Sequence, residues 1–342
     1  MGVYLTPIIV NRKKVPFEYF SGRRIAFDAN NELYQFLALI RQPDGRYFSD
    51  SKGRPTSHLM GLFYRTTRLT EYGIFPIFVF DGKPHPLKLR ELDERKKLKE
   101  KAEREWLEAL FRGDLPTAWR KAIQTSRLTS EMIKEAKELL DLMGIPWVQA
   151  PSDAEAQAAY IVRKGDAFAV CSRDWDSLLY GTNYLVRYLT ISGTEFLPSK
   201  GIIKPLEPEI IDLMELLSML KITREQLIDI AILVGTDYNE GVEGIGPKRA
   251  LEIIRKYGTI ENAVKRGVIK INEDYNTVRK IFLEPEVTDD YQIEWNKPDK
   301  DGIISFLCDE KDFSRKRVEN AIRRLEKLEV FSGQKKLFDF IR

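Results

Sequence analysis

Two hydrophobic patterns alternate along the chain. Short apolar runs rich in β-forming residues, Arg23–Asp28 (RRIAFD), Pro76–Asp81 (PIFVFD) and Ala167–Cys171 (AFAVC), predict strands. The first two end on an aspartate, and the third runs into Arg173, Asp174, Trp175 and Asp176. Between them, apolar positions at helical spacing predict helices over Ser57–Glu71 and Ser130–Met143, the second closed by Gly144 and Pro146. From Thr223 the pattern is helical again (REQLIDIAILVG), followed by a glycine-rich turn and a second helix over Pro247–Tyr257, with proline at the first helical position. This alternation predicts an α/β fold, a central mostly parallel sheet with helices on both faces.

Lys88–Arg112 has another texture, with nine Lys or Arg and seven Asp or Glu among 25 residues and few apolar anchors. It predicts a long, solvent-exposed helix laced by pairs such as Glu91–Arg95 and Glu100–Arg104. The last twelve residues, from Phe331, lie beyond a charged helix (Phe313–Leu328) and read as a tail. The length of 342 residues allows one large elaborated domain or two. With 43% hydrophobic and 31% charged residues the chain is neither disordered nor a membrane bundle. Its longest stretches free of Asp, Glu, Lys and Arg, Met1–Asn11 and Leu142–Ser152, fall short of the roughly 18 residues that span a bilayer. Only two cysteines and no basic leader predict an intracellular protein. A net charge of +3 does not by itself announce a nucleic-acid partner.

Cys171, Cys308, His58 and His85 are the only nitrogen or sulfur ligands of note, and no two have zinc-like spacing, so any metal would be held by oxygen. Gly241–Lys248 (GVEGIGPK) has the gap of a phosphate loop, but Pro247 stands where the lysine belongs. Seven acids occupy strand ends or helix starts: Asp28, Asp81, Asp153, Glu155, Asp174, Asp176 and Asp237. Strand carboxyl ends converge on one crevice in an open α/β sheet. Carboxylates gathered there repel one another unless a cation intervenes. Hard oxygen ligands favour Mg²⁺ or Mn²⁺, and two such ions about 4 Å apart serve in-line phosphodiester cleavage. Local readings stand beside this one. Ser152–Glu155 spells a capping box, and Asp28 and Asp81 are suited to caps or turns.

The strings FDANNELYQF, SHLMGLFYRT, VFDGKP, APSDAEAQ, RDWDSLLYG and GTDYNEGVEGIGPKRA occur in the order found in flap endonucleases, structure-specific 5′ nucleases of DNA replication and repair. The chain resembles the compact, archaeal-type members of that family over nearly its whole length. The resemblance implies a Mg²⁺-dependent 5′ flap endonuclease with 5′–3′ exonuclease activity, cutting near the junction of single and double strands, as in Okazaki fragment maturation. It implies a nuclease core over 1–330: an N-terminal region (1–100), a helical arch (88–130), an internal region (131–258) with a helix-two-turn-helix near 226–257, and a C-terminal helical region (259–330). One metal site would come from Asp28, Asp81, Asp153 and Glu155, the other from Asp174, Asp176 and Asp237. Lys88 and Arg95, one face of the arch base, would offset charge on the scissile phosphate. Asp153 stands where the family usually has Glu, so direct and water-mediated ligation both stay open.

For DNA, the resemblance implies a stacking Tyr34, contacts from Arg41 and Arg65, Gly2 beside the active site, and Gly235, Gly244, Gly246, Lys248 and Arg249 around a bound K⁺ or a phosphate. It also implies a monomer at the replication fork of an archaeon-like cell, tethered to the sliding clamp (PCNA) by Gln334, Leu337, Phe340 and Ile341 of the 331–342 tail. Two rivals differ in class. An aspartate-dependent phosphatase would need D-x-D on its first strand, where Asp28-Ala29-Asn30 stands instead; a clamp-tethered scaffold without catalysis would not need all seven acids.

Overall fold

The structure, a computed structural model, describes residues 2–190, 193–197, 202–271 and 274–325. Its strands are β1 (Lys13–Lys14), β2 (Arg24–Asp28), β3 (Phe75–Phe80), β4 (Trp147–Gln149), β5 (Ala169–Cys171), β6 (Tyr184–Arg187), β7 (Gly193–Leu197), β8 (Ile202–Leu206) and β9 (Glu209–Asp212). The helices include α1 (Ala29–Leu39), α2 (Ser57–Glu71), α3 (Leu89–Phe111), α4 (Leu115–Gln124), α5 (Ser130–Leu142), α6 (Ala154–Lys164), α7 (Asp176–Leu179), α8 (Leu213–Leu220), α9 (Arg224–Val234), α10 (Pro247–Tyr257), α11 (Ile260–Lys265), α12 (Tyr275–Leu283) and α13 (Lys300–Ile304), and residues 315–325 are helical as well. The fold is α/β, with a mixed, mostly parallel sheet of seven strands and a separate β7–β8 hairpin.

Two compact units divide the chain. The first comprises Met1–Pro16, Asp81–Glu91 and Gln149–Asp290, the second Phe17–Phe80, Leu92–Val148 and Tyr291–Arg342. In the first, β6 pairs parallel with β5 and antiparallel with β9, and β9 pairs antiparallel with β1. Helix α6 (AEAQAAYIVRK) buries four alanines and ends at Gly165, whose φ of 85° is the left-handed turn that favours glycine. In the second unit β2 and β3 run parallel, with Ala26 opposite Ile77. All six residues of β3 (FPIFVF) are buried, the pattern of a strand covered on both faces. Helix α2 lies close over α1 at Gly61, where a Cβ would fall 2.1 Å from Phe36 Cγ.

The second unit also buries a charged cluster. His58 Nε2 lies 3.0 Å from Glu135 Oε2, and Lys311 Nζ donates to Glu135 Oε1. His58 is wholly buried and Lys311 nearly so. Burial alone would raise the Glu135 carboxyl, but the bonds from His58 and Lys311 outweigh it and hold the group below its ordinary value. A depressed carboxyl contributes stability at neutral pH that is lost as pH falls through its folded value. Glu135→Ala should therefore cost about 3 kcal/mol at pH 7 by leaving Lys311 uncompensated. The gap between wild type and variant should narrow once pH falls below about 4, where free glutamate protonates. Urea unfolding at pH 7 and at pH 3 measures it, and an equal gap at both would mean that Glu135 contributes by packing alone.

Candidate active site

Strand ends and helix starts of the first unit carry most of the acids singled out in the sequence. Asp81 directly follows β3, and its Oδ1 accepts from the amide of Ala154, the first residue of α6, at 2.8 Å. Gly82 permits this approach, because a Cβ there would lie 2.2 Å from the Ala150 carbonyl oxygen. The expected capping box at Ser152–Glu155 does not form. Asp153 is the N-cap, with Oδ1 accepting from Glu155 N at 3.0 Å. Both serine and aspartate cap well, and here the aspartate one residue later has the extended backbone a cap needs. Glu155 turns inward instead, where its Oε1 accepts from Ser177 Oγ at 2.8 Å.

The turn from β5 into α7 presents Asp174 and Asp176. Asp176 Oδ1 accepts from Val3 N at 2.9 Å, so the N-terminal segment lies against both acids. Gly2 is needed there: a Cβ would fall 2.7 Å from Asp176 Oδ2 and 2.8 Å from Asp174 Cβ. Trp175, between the two acids, is buried, donates to Thr6 Oγ1 at 3.1 Å and carries the Arg187 guanidinium 4.0 Å from its ring centre. Asp237 is buried beyond the end of α9.

One cation joins these acids. Lys88 closes a short 3-10 turn (Pro86–Lys88) rather than starting the long helix, and its Nζ donates to Asp153 Oδ2 at 2.8 Å and lies 3.8 Å from Asp237 Oδ2. Burial works against its charge, yet Asp153, Tyr238, Asp81 and Asp237 outweigh it and hold Lys88 well above its ordinary value. Asp153, which burial alone would raise, is held below its ordinary value by Lys88 and by bonds from Glu155 and Tyr238. Asp176 behaves oppositely. Burial, reinforced by Asp237 and Asp174, pushes its carboxyl up to about 8.

Among the described residues no three His, Cys, Asp or Glu side chains form a ready cage for a metal ion. Lys88 takes up part of the charge, and backbone amides occupy oxygens of Asp81, Asp153 and Asp176. Asp176 is raised first by burial and then by the like charges of Asp237, Asp174 and Asp153, and every donor is a hard carboxylate oxygen. That donor set fits a divalent oxygen-seeking cation.

The other expected residues fall in different places. Asp28 ends β2 and caps α1, accepting from Asn31 N at 3.0 Å, as its local reading predicts. Tyr34 is 37% exposed while its neighbours Leu33, Phe36 and Leu37 are buried, which removes a core role, and Lys99 Nζ sits 4.6 Å from its ring centre. Arg41 is buried and donates to Leu37 O, Gly45 O and Ser126 Oγ while lying over the Tyr47 ring, which uses three of its five N–H donors inside the second unit. Arg65 is half-buried on α2, and Arg95 half-buried on α3. Helices α9 and α10 flank a glycine-rich turn in which Gly235 has φ 103° and no room for a Cβ, Gly244 has φ 74°, and Gly246 caps α10. Lys248 and Arg249 are exposed on the first turn of α10. Gln334, Leu337, Phe340 and Ile341 lie outside the described residues.

Sequence reasoning passed over two tyrosines. Tyr238 donates to Asp153 Oδ2 at 3.2 Å, and the buried Tyr180 hydroxyl lies 2.8 Å from the Tyr238 hydroxyl. Their only signal was adjacency to the motifs themselves, in GTDYNEG and RDWDSLLYG.

Comparison with known proteins bears on this geometry. The XPG N-terminal domain family matches residues 1–102 and the XPG I-region family residues 144–237. The chain is 52% identical to flap endonuclease 1 of Pyrococcus abyssi, covering 96% of this chain and 94% of that protein. It is 51% identical to flap endonuclease 1 of Archaeoglobus fulgidus, covering 94% and 95%. Among solved structures, flap endonuclease-1 from Methanococcus jannaschii is similar at 43% identity and a TM-score of 0.76, covering 96% of this chain and 99% of that one. The catalytic core of Rad2 in complex with a DNA substrate is similar at 25% identity and a TM-score of 0.70, covering 95% and 100%.

The close approach of Gly2 to the acids can be tested directly. Gly2→Ala should break the Val3–Asp176 bond, because the added methyl must displace Asp176 or the segment that holds it. Amide hydrogen exchange at Val3 should then quicken about tenfold or more, as a local opening without global loss of stability. Unchanged protection at Val3 would mean that the N-terminal segment is not held by Asp176.

Proposed function

The chain belongs to the flap endonuclease family of structure-specific nucleases, and from that premise we propose that it cuts 5′ flaps from branched DNA with Mg²⁺, as in Okazaki fragment maturation and repair, with 5′–3′ exonuclease activity on the same site. Metal dependence is general to the family. The observation that carries the proposal is the ammonium of Lys88 seated on Asp153 and Asp237, in a unit that also presents Asp81, Glu155, Asp174 and Asp176 at strand and helix ends.

Asp81, Asp153, Glu155, Asp174, Asp176 and Asp237 would hold the divalent ions, which when bound supply neutralising charge and lower the pKa of an attacking water. The protein's own groups do the rest. Ser177 and the Val3 amide fix Glu155 and Asp176, so their second oxygens keep one orientation. Lys88 brings a full positive charge on a short tether, able to shift from Asp153 to a phosphate oxygen as charge develops there. Arg95 is proposed to act beside it. Exposed Tyr34 offers an aromatic face to a nucleobase of the flap. The glycines before α10 let backbone amides approach a duplex phosphate or a bound K⁺, while exposed Lys248 and Arg249 add counter-charge. The tail residues Gln334, Leu337, Phe340 and Ile341 are proposed to plug an apolar pocket on a sliding clamp.

Purified protein incubated with labelled double-flap DNA, a matched hairpin and a phosphomonoester, each with Mg²⁺ and with chelator, tests the reading. The expected result is flap cleavage only with metal. Phosphomonoester hydrolysis alone would select the phosphatase, and metal-independent DNA binding without cleavage the scaffold. Lys88→Ala should lower the single-turnover rate about a hundredfold, near 3 kcal/mol, with DNA affinity almost unchanged. An effect on affinity alone would remove Lys88 from the chemistry.

The duplex contacts separate from catalysis in a second measurement. Lys248→Ala with Arg249→Ala should weaken binding alike at every sequence and flatten the logarithmic salt dependence by about one unit for each phosphate no longer neutralised. A salt slope equal to that of wild type would leave the turn before α10 a purely structural connection.

A further inference from the structure

Counting the protons on two hydroxyls gives the tyrosine pair a direction. Tyr238 has one hydroxyl hydrogen and two neighbours, Asp153 Oδ2 at 3.2 Å and the Tyr180 hydroxyl at 2.8 Å. Asp153 Oδ2 is a carboxylate oxygen that already accepts from Lys88 Nζ at 2.8 Å, so toward Tyr238 too it accepts. Tyr238 must therefore donate to Asp153, and its oxygen must accept from Tyr180. Tyr180 is 1% exposed, its ring lies 5.1 Å from that of Phe282, and its hydroxyl has no other bond among the described residues. A phenylalanine would fill that space equally well. A buried hydroxyl left without its bond is costly, so it marks a bond that matters.

On the reading given above, we propose that Tyr180 and Tyr238 form a one-way hydrogen-bond chain that positions Asp153 and, through it, the ammonium of Lys88. Asp153 then has both oxygens assigned: Oδ1 to the Glu155 amide, and Oδ2 shared between Tyr238 and Lys88. Each O–H in the chain polarises the next, which strengthens the last bond to the carboxylate. The Tyr238 ring is itself fixed, edge-on to His85 at 5.9 Å and to Phe282 at 5.5 Å, and Lys88 Nζ lies 5.8 Å from its centre. The same ring thus touches both members of the Lys88–Asp153 pair. These are positioning residues, since neither reaches a reacting atom. A cavity of about 190 Å³ beside them, lined also by His85, Ala156 and Ile281, has room for water to meet an orphaned hydroxyl. Thermal stability alone is therefore a poor judge of the pair, and rates and ion affinity decide.

The test uses Tyr238→Phe, Tyr180→Phe and the double variant of the full chain. Single-turnover cleavage of double-flap DNA, DNA affinity and Mn²⁺ affinity by electron paramagnetic resonance are measured for each. Tyr238→Phe should lower the rate about tenfold or more and weaken Mn²⁺ about tenfold, as loss of an outer partner of a ligand does, with DNA affinity within twofold. Tyr180→Phe should cost less, because Tyr238 can still donate. The double variant should match Tyr238→Phe, since Tyr180 acts only through Tyr238. In a Lys88→Ala background, Tyr238→Phe should lose most of its effect on rate. Multiplied losses in the double variant, a Tyr238→Phe rate within twofold of wild type, or a loss confined to DNA affinity would each overturn the proposal. If the wild type cuts no flap, the function reading fails by itself, and the Mn²⁺ affinities of the same variants still judge the chain.

Discussion

A single ammonium among several carboxylates sets the terms for the first unit. Asp153 and Asp237 hold Lys88 well above its ordinary value, and Lys88, the Glu155 amide and Tyr238 hold Asp153 below its own. Asp176 is buried facing Asp237 and Asp174 instead and is pushed up to about 8, so two acids of one unit sit on opposite sides of neutrality. Such a split is what burial and charge partners produce at reactive sites. It also explains the local architecture. Amides of Val3, Ala154 and Glu155 are spent on side chains because like charges this near need fixed donors to stay apart and oriented.

Much of the frame was legible in the sequence, because its elements are strongly patterned. The unbroken apolar run of β3, the period of α2 and the proline-started α10 appear where their patterns end, to within a residue or two. The short strands β1, β4, β6 and β9 were not legible. Two to four residues carry too little periodicity to separate a strand from a loop, and their pairing is decided by partners far along the chain. The candidate acids were legible as a set because each follows a strand or opens a helix. Their individual roles were less so: the cap moved from Ser152 to Asp153, which changed what Glu155 touches.

Arg41 and Tyr180 show where such reading ends. An arginine just after a helix does not announce its neighbours in the sequence, and its guanidinium reaches Ser126, 85 residues away, and lies over Tyr47. A tyrosine in an apolar run looks like core, yet its hydroxyl meets another 58 residues on, beside a carboxylate. In both cases the deciding fact is where one polar hydrogen goes. That is a tertiary property that hydrophobic patterning does not encode.

The same local device serves different ends in this chain, and the difference lies in its surroundings. Asp114, Asp274 and Asp153 all cap helices by accepting from a backbone amide. Asp114 and Asp274 are exposed and their capping does no more than begin α4 and α12. At Asp153 the cap spends one oxygen and leaves the other facing inward, where an ammonium and a hydroxyl reach it. An N-cap already fixes the carboxylate and sets it at the positive end of a helix, so further partners meet a pre-oriented group instead of ordering a loose one. A capping aspartate thus becomes part of a reactive site without any change in its own backbone role. The step required is only that Lys88 and Tyr238 arrive at its second oxygen.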